Sequence, residues 1–188
     1  MKNISDQELI DSIKNGNHSD YSVLVDRYKN KAFSMLKRML RNEFDAEEVL
    51  QDSFFKAFRS LETFKGEAKF STWFYRIVYN SALTKLSSKR RKIEQEMSSV
   101  EDHLDLESNF DSIDAEKKNV SELVNEMINL LPEKYSTIIT FFYLNELTCE
   151  EIAETMNISL SNVKVLLHRS RNAMRDMIEK HNLTEELI

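Results

Sequence analysis

An all-α chain of two small helical domains joined by a flexible acidic linker is predicted by three observations. Two glycines and one proline in 188 residues leave little turn chemistry for hairpins or phosphate-cradling loops, which favours helices. Apolar residues recur at three- and four-residue steps along most of the chain, the period of amphipathic helices. Charge is distributed basic, acidic, basic: Lys85, Lys89, Arg90, Arg91 and Lys92 form one cationic run, and Lys164, Arg169, Arg171, Arg175 and Lys180 form another. Between them lie Glu94, Glu96, Glu101, Asp102, Asp105, Glu107, Asp111, Asp114 and Glu116, with no sustained apolar period, the composition of a linker. The expected division is a helical domain over 1–92, the acidic linker over 93–119 and a second helical domain over 120–188.

Ser5-Asp6-Gln7-Glu8 has capping-box form, and Leu9, Ile10 and Ile13 follow at helical spacing, so a short first helix should end near Gly16. Tyr21, Leu24, Val25, Tyr28, Ala32, Met35, Leu36 and Met39 form the apolar stripe of a longer helix, whose other face carries Arg27, Lys29, Lys31, Lys37 and Arg38. Asp45, with Glu48 three residues on, is the expected N-cap of a third helix. That helix should bury Val49, Leu50, Phe54, Ala57, Phe58 and Leu61 and end at Lys65-Gly66-Glu67. A fourth should run from about Ser71 through Trp73, Phe74, Ile77, Val78 and Leu83 into the first basic run.

After the linker, Leu123, Met127, Ile128 and Leu131 mark another helix. Pro132, suited to a first turn, opens one carrying Ile138, Ile139, Phe141, Phe142 and Leu144. Thr148-Cys149-Glu150-Glu151 is a second capping box, opening a short helix with Ile152, Ala153 and Met156 inside. The turn Asn157-Ile158-Ser159 leads to a last helix that should bury Val163, Leu167 and Met174. Two helices joined by so short a turn are a helix-turn-helix.

Several function classes are disfavoured. One cysteine, Cys149, cannot form an internal disulfide, and His18, His103, His168 and His181 lack metal-ligand spacing. No Ser/His/Asp or Cys/His arrangement or glycine-rich loop is visible, so neither enzymatic activity nor a cofactor or metal is expected. No stretch approaches the ~18 to 20 apolar residues of a membrane span, and no signal-peptide run opens the sequence. The chain is expected to be soluble and cytoplasmic, without membrane insertion of its own. The net charge of −6 argues against a nucleic-acid partner, but clustering of the cations outweighs the sum.

In a helix-turn-helix the second helix enters the major groove, and its N-terminal residues reach base edges while basic residues beyond them hold phosphates. Lys164, Val165, His168 and Arg169 share one face here, opposite Val163 and Leu167. Lys and Arg suit guanine, and Val165 a thymine methyl.

Leu131-Pro132-Glu133-Lys134-Tyr135, Tyr143 to Ala153, Asn162-Val163-Lys164 and His168-Arg169-Ser170-Arg171 together resemble region 4 of the extracytoplasmic-function (ECF, group IV) RNA polymerase sigma factors of the sigma-70 family. Asp45-Ala46-Glu47-Glu48-Val49-Leu50-Gln51-Asp52-Ser53-Phe54 resembles the family's region 2 helix. Phe64-Lys65-Gly66-Glu67 followed by Phe70 to Ile77 resembles its melting segment. The resemblance covers most of residues 20–90 and 122–178, and departs from the family at Ser161, where Gly is common, and at Val165 and Leu166, where Ser-Arg is common.

The resemblance implies a region 2 four-helix domain, a region 4 helix-turn-helix domain, and three surfaces. Asp45, Glu47, Glu48, Gln51 and Asp52 would dock on core RNA polymerase. Phe64, Lys65, Gly66, Glu67, Lys69, Trp73, Arg76 and Asn80 would bind and melt the downstream promoter element, capturing a flipped base; aromatics beside cations are what unpaired bases need. Within that segment Phe70, Phe74 and Ile77 are expected inside the domain. Ser161, Asn162, Lys164, Val165, His168, Arg169 and Arg171 would read the upstream element. The basic run from Lys85 to Lys92 would lie along DNA. An anti-sigma partner is implied as well. The competing readings are a dimeric operator-binding regulator that never touches polymerase and a helical adaptor without nucleic acid. The acidic helix and the aromatic-basic loop, which a duplex-only binder does not need, count against the first.

Overall fold

The computed structural model describes residues 4–97 and 119–180, with the side chains of 92–97 outside the description. Every regular element among the described residues is helical, and the chain divides near Arg91 into two compact units. The expected acidic linker lies largely outside the described residues.

In the first unit, α1 (Asp6–Lys14) opens with the expected capping box: the Glu8 N–H donates to the Ser5 hydroxyl, and the Glu8 carboxylate accepts from the Ser5 N–H at 2.7 Å. Asp6 on the same turn pairs with Arg27 and Tyr28 of α2 (Tyr21–Leu40), which fixes α1 on α2. Leu24, Ala32, Met35, Leu36 and Met39 of α2 are buried as expected. Arg38 is a correction: assigned to the solvent face, it is 8 % exposed and donates to the Ser34 hydroxyl at 2.5 Å. Burial holds its guanidinium below the usual arginine range, and its long stem covers apolar surface as arginine stems do.

Arg41 takes the left-handed conformation at the end of α2 (φ 48°), and α3 (Glu43–Ser60) follows at once. The cap of α3 is Asn42, whose side chain accepts from the Asp45 N–H at 2.9 Å; Asp45, the expected cap, lies inside the first turn. Val49, Ser53, Phe54 and Ala57 are buried, while Phe58, expected in the core, is 37 % exposed. A 3-10 turn over Leu61–Thr63 and an irregular stretch to Lys69 lead to α4 (Phe70–Met97), which continues past the expected domain limit at residue 92. Phe74, fully buried, stacks on Phe54 with ring centroids 4.6 Å apart and on Phe70 at 5.9 Å, so aromatic packing joins α3 to the start of α4.

The second unit contains α5 (Val120–Leu130), α6 (Glu133–Ile139), a π-helical turn over Thr140–Leu144, α7 (Cys149–Met156) and α8 (Leu160–Lys180). Asn119 and Glu122 form a capping box for α5, and Thr148 and Glu151 form the expected one for α7. Pro132 lies one residue before α6. Leu123, Met127, Ile128, Leu131, Ile139 and Met177 make the core that α5 and α6 share with the end of α8. Met174, expected inside, is half-buried.

Candidate functional site

The acidic stretch of α3 presents Glu47, Glu48, Gln51 and Asp52 to solvent, as expected from their spacing. Asp45 does not join them. Its carboxylate turns toward α4, where Lys85 lies 3.3 Å away and Lys89 pairs with the other oxygen, and its side chain is 14 % exposed. Hydrogen bonding from Lys89, with Lys85 adding to it, holds the Asp45 carboxyl below the usual carboxylate range. Lys85 also reaches Glu48 at 2.6 Å, and that contact raises the lysine above its ordinary value. Two members of the first basic run, Lys85 and Lys89, are therefore engaged by α3.

Sequence reasoning missed the aromatic part of this face. Phe44 is 83 % exposed and Phe55 61 % exposed. Both fall in one stripe with Glu48, Gln51 and Asp52, because residues three and four apart on a helix are neighbours. Beside Phe55, an open groove of about 610 Å³ is lined by Tyr21, Val25, Phe54, Phe55 and Phe58. The signal was available: with Val49, Ser53 and Ala57 fixing the buried side, Phe55 has to point away.

The 64–69 loop is pinned at its start. Phe64 is 7 % exposed and packs against Trp73 and Phe70, at 4.9 and 6.2 Å between centroids. Lys14 of α1 donates to its carbonyl at 2.6 Å. Phe64 is thus an anchor, a correction to its expected place among the exposed base-stacking groups; Tyr75, in the segment that follows, is also buried. Phe70 and Phe74 are inside as expected, Ile77 is half-buried, and Trp73 is half-buried against Phe64 and Phe70. Lys65, Gly66, Glu67, Lys69, Arg76 and Asn80 are exposed. Gly66 has φ +73°, a conformation that disfavours side chains. An open pocket of about 420 Å³ lies between α1 and this loop, lined by Gln7, Ile10, Gly66, Glu67, Lys69 and Ser71 among others.

In the helix-turn-helix, Asn157 turns the chain with φ 52°, which asparagine tolerates better than most residues. The Ser159 hydroxyl accepts from the Asn162 N–H at 3.2 Å and starts α8. Val163, Leu167 and Ser170 are buried, which leaves Ser161, Asn162, Lys164, Val165, His168 and Arg169 exposed. Leu166 is half-buried. Arg171 is also exposed, but its guanidinium donates to the Tyr143 hydroxyl and lies over the Phe142 and Tyr143 rings. It fastens α8 to the π-helical turn, a role the sequence pattern did not suggest.

Among the described residues no group of three or more His, Cys, Asp or Glu is placed to hold a metal, and no helix is long and apolar enough to cross a membrane.

Residues 24–92 match the family model for Sigma-70 region 2, and residues 121–174 match the one for Sigma-70, region 4. The ECF RNA polymerase sigma-E factor of Haemophilus influenzae is 34 % identical over 183 residues, 94 % of this chain and 96 % of that protein. The chain belongs to the ECF sigma-factor family. The ECF RNA polymerase sigma factor SigW of Bacillus subtilis is likewise 34 % identical, over 92 % of this chain and 96 % of its own length. Two solved structures share the fold at low identity. CnrH, in complex with the cytosolic domain of CnrY, has a TM-score of 0.65 at 19 % identity and covers 93 % of this chain and 97 % of its own. RpoE of Bartonella quintana, in complex with the anti-sigma factor NepR, has 0.66 at 14 %, covering 85 % and 97 %. As an ECF sigma factor the chain is an alternative initiation factor that binds core RNA polymerase and directs it to promoters. The operator-binding reading is not favoured.

Proposed function

We propose that this group IV sigma factor divides initiation among three surfaces and catalyses no reaction itself. The stripe of Glu47, Glu48, Gln51 and Asp52, extended by Phe44 and Phe55, docks on core polymerase. Carboxylates steer the encounter toward a cationic partner, and the exposed phenylalanines supply the apolar anchors that carry most of an interface's affinity.

Lys65, Gly66, Glu67 and Lys69, with Trp73, Arg76 and Asn80 on α4, bind the downstream element once it opens. The observation that carries this assignment is the 420 Å³ pocket between α1 and the loop. A pocket of that size takes a single flipped base, with the exposed Lys65 and Lys69 meeting the flanking phosphates and the half-buried Trp73 supporting the wall through Phe70. Ser161, Asn162, Lys164, Val165, His168 and Arg169 on α8 read the upstream element in the major groove. Region 2 occupies 1–92 and region 4 occupies 120–188, with residues 93–119 linking them, so each module raises the effective concentration of the other on DNA.

The factor acts in the cytoplasm. Its second partner is an anti-sigma factor, the kind of protein bound by RpoE of Bartonella quintana.

Promoters selected by the reconstituted holoenzyme from genomic DNA provide the test. On such a promoter, Lys65→Ala combined with Lys69→Ala should leave closed-complex binding nearly intact and reduce permanganate reactivity of unpaired thymines by about tenfold, as expected when two phosphate contacts to the opened strand are lost. Equal strand opening by this variant and the unmodified protein would refute the loop assignment.

A further inference from the structure

We propose that Lys85 and Lys89 are positioning residues for polymerase docking, holding the first turns of α3 against α4 so that the exposed stripe is presented in a fixed orientation. The proposal rests on the reading of α3 as the docking helix. On this account Asp45 acts through the two lysines and does not itself touch polymerase.

Lys85 and Lys89 are one turn apart on α4 and face the same way. Lys85 contacts Glu48 at 2.6 Å and Asp45 at 3.3 Å, and Lys89 pairs with the second oxygen of Asp45. The two acidic partners differ in exposure. The Glu48 side chain is 62 % exposed and that of Asp45 is 14 % exposed. A short side chain turned onto two cations restrains the backbone that carries it more tightly than a long one does, because fewer rotatable bonds intervene.

The restraint sits at the start of α3, away from the aromatic stacking that joins the helix to α4. Aromatic stacking between the two helices is at Phe54 and Phe74, and a further polar link is Lys56 donating to the Ser81 hydroxyl at 3.1 Å. Asp45 is about two and a half turns before Phe54 along α3. Phe44, the residue next to Asp45, is exposed and contributes nothing inward. Holding the start of α3 against α4, in addition to the Asn42 cap and the Lys37–Glu43 pair at 3.2 Å, therefore sets the direction of Phe44, Glu47 and Glu48 at that end of the stripe.

The test measures affinity of the full chain for purified core RNA polymerase by biolayer interferometry, and affinity of the holoenzyme for promoter DNA as a function of salt. Lys85→Met with Lys89→Met should weaken polymerase binding about tenfold, as loss of orientation at a steered interface would, and leave the salt slope of DNA binding unchanged. Lys85→Arg with Lys89→Arg should retain affinity. Asp45→Lys alone should weaken polymerase binding, and adding Lys89→Asp, which restores an opposite-charge pair, should recover most of the loss; this pair decides the matter if the double methionine variant fails to fold. Recovery would not occur if Asp45 touched polymerase directly, and that result overturns the proposal, as does unchanged binding by a folded methionine variant or a loss confined to the DNA salt slope. If Gln51→Ala with Asp52→Ala leaves polymerase binding intact, the docking assignment itself has failed.

Discussion

The guanidinium of Arg171 donates to the Tyr143 hydroxyl at 2.9 Å while lying over the same ring, 5.7 Å from its centroid. Arg171→Ala should therefore lower the thermal stability of the second unit, by about 1 kcal/mol from one hydrogen bond and exposed cation–π contact. Lys164→Ala and Arg169→Ala should leave the melting temperature unchanged and instead weaken promoter binding with a shallower salt dependence, because their cations face solvent. Differential scanning calorimetry paired with salt titration of DNA binding separates the two behaviours.

Phe74 is the centre of the first unit's aromatic packing, stacked on Phe54 and Phe70. Phe74→Ala should cost about 3 to 5 kcal/mol, the range for large-to-small changes at fully buried aromatics. The urea midpoint of the first unit should fall steeply while that of the second stays where it is. Equal shifts in both would mean that the two do not unfold independently.

Asn42→Ala removes the acceptor for the Asp45 N–H and should destabilise the first unit by about 1 kcal/mol. Asn42→Asp should keep most of the stability, since a carboxylate caps equally well and suits the helix dipole. Chemical denaturation of the three proteins side by side checks both.

Sequence pattern revealed most of the helices because their caps and apolar periods are local. Ser5 with Glu8, and Thr148 with Glu151, occupy the boxes their spacing implied. At α3 two polar residues, Asn42 and Asp45, each precede an acidic residue by three, and nothing local chooses between them. Phe64 and Phe58 exchanged roles for a related reason: the 64–69 loop has no period, so the burial of Phe64 depends on Trp73 and Phe70, while Phe58 sits at the edge of a stripe that Phe54 and Ala57 already fill. On α8 the exposed face was legible at Lys164, Val165, His168 and Arg169 because Val163 and Leu167 define its opposite. Ion pairs between Asp45 and the lysines of α4 span forty residues and more, and charge composition cannot reveal them.

The Asp45 cluster makes stability depend on pH in a defined direction. The Asp45 carboxyl is held low, first by Lys89 and then by Lys85, so its contribution is present above the unfolded carboxylate value of about 3.9 and is lost as pH falls through the lower folded value. Lys85 is held high, first by Glu48 and then by Asp45. Its contribution is complete below about pH 10.4 and lost as pH rises through the higher folded value. Asp45→Asn should melt earlier than the unmodified protein at pH 7, and the gap should close in the acid range. A gap that persists undiminished to pH 2 would show that charge at Asp45 is not what stabilises the pair.

Binding to core RNA polymerase tests the central claim most directly. The full chain should co-elute stoichiometrically with purified bacterial core enzyme in size-exclusion chromatography, and a folded variant carrying Gln51→Ala, Asp52→Ala and Phe55→Ala should elute apart from it. Failure of the unmodified chain to co-elute, or co-elution of the triple variant as complete as that of the unmodified chain, would contradict the account.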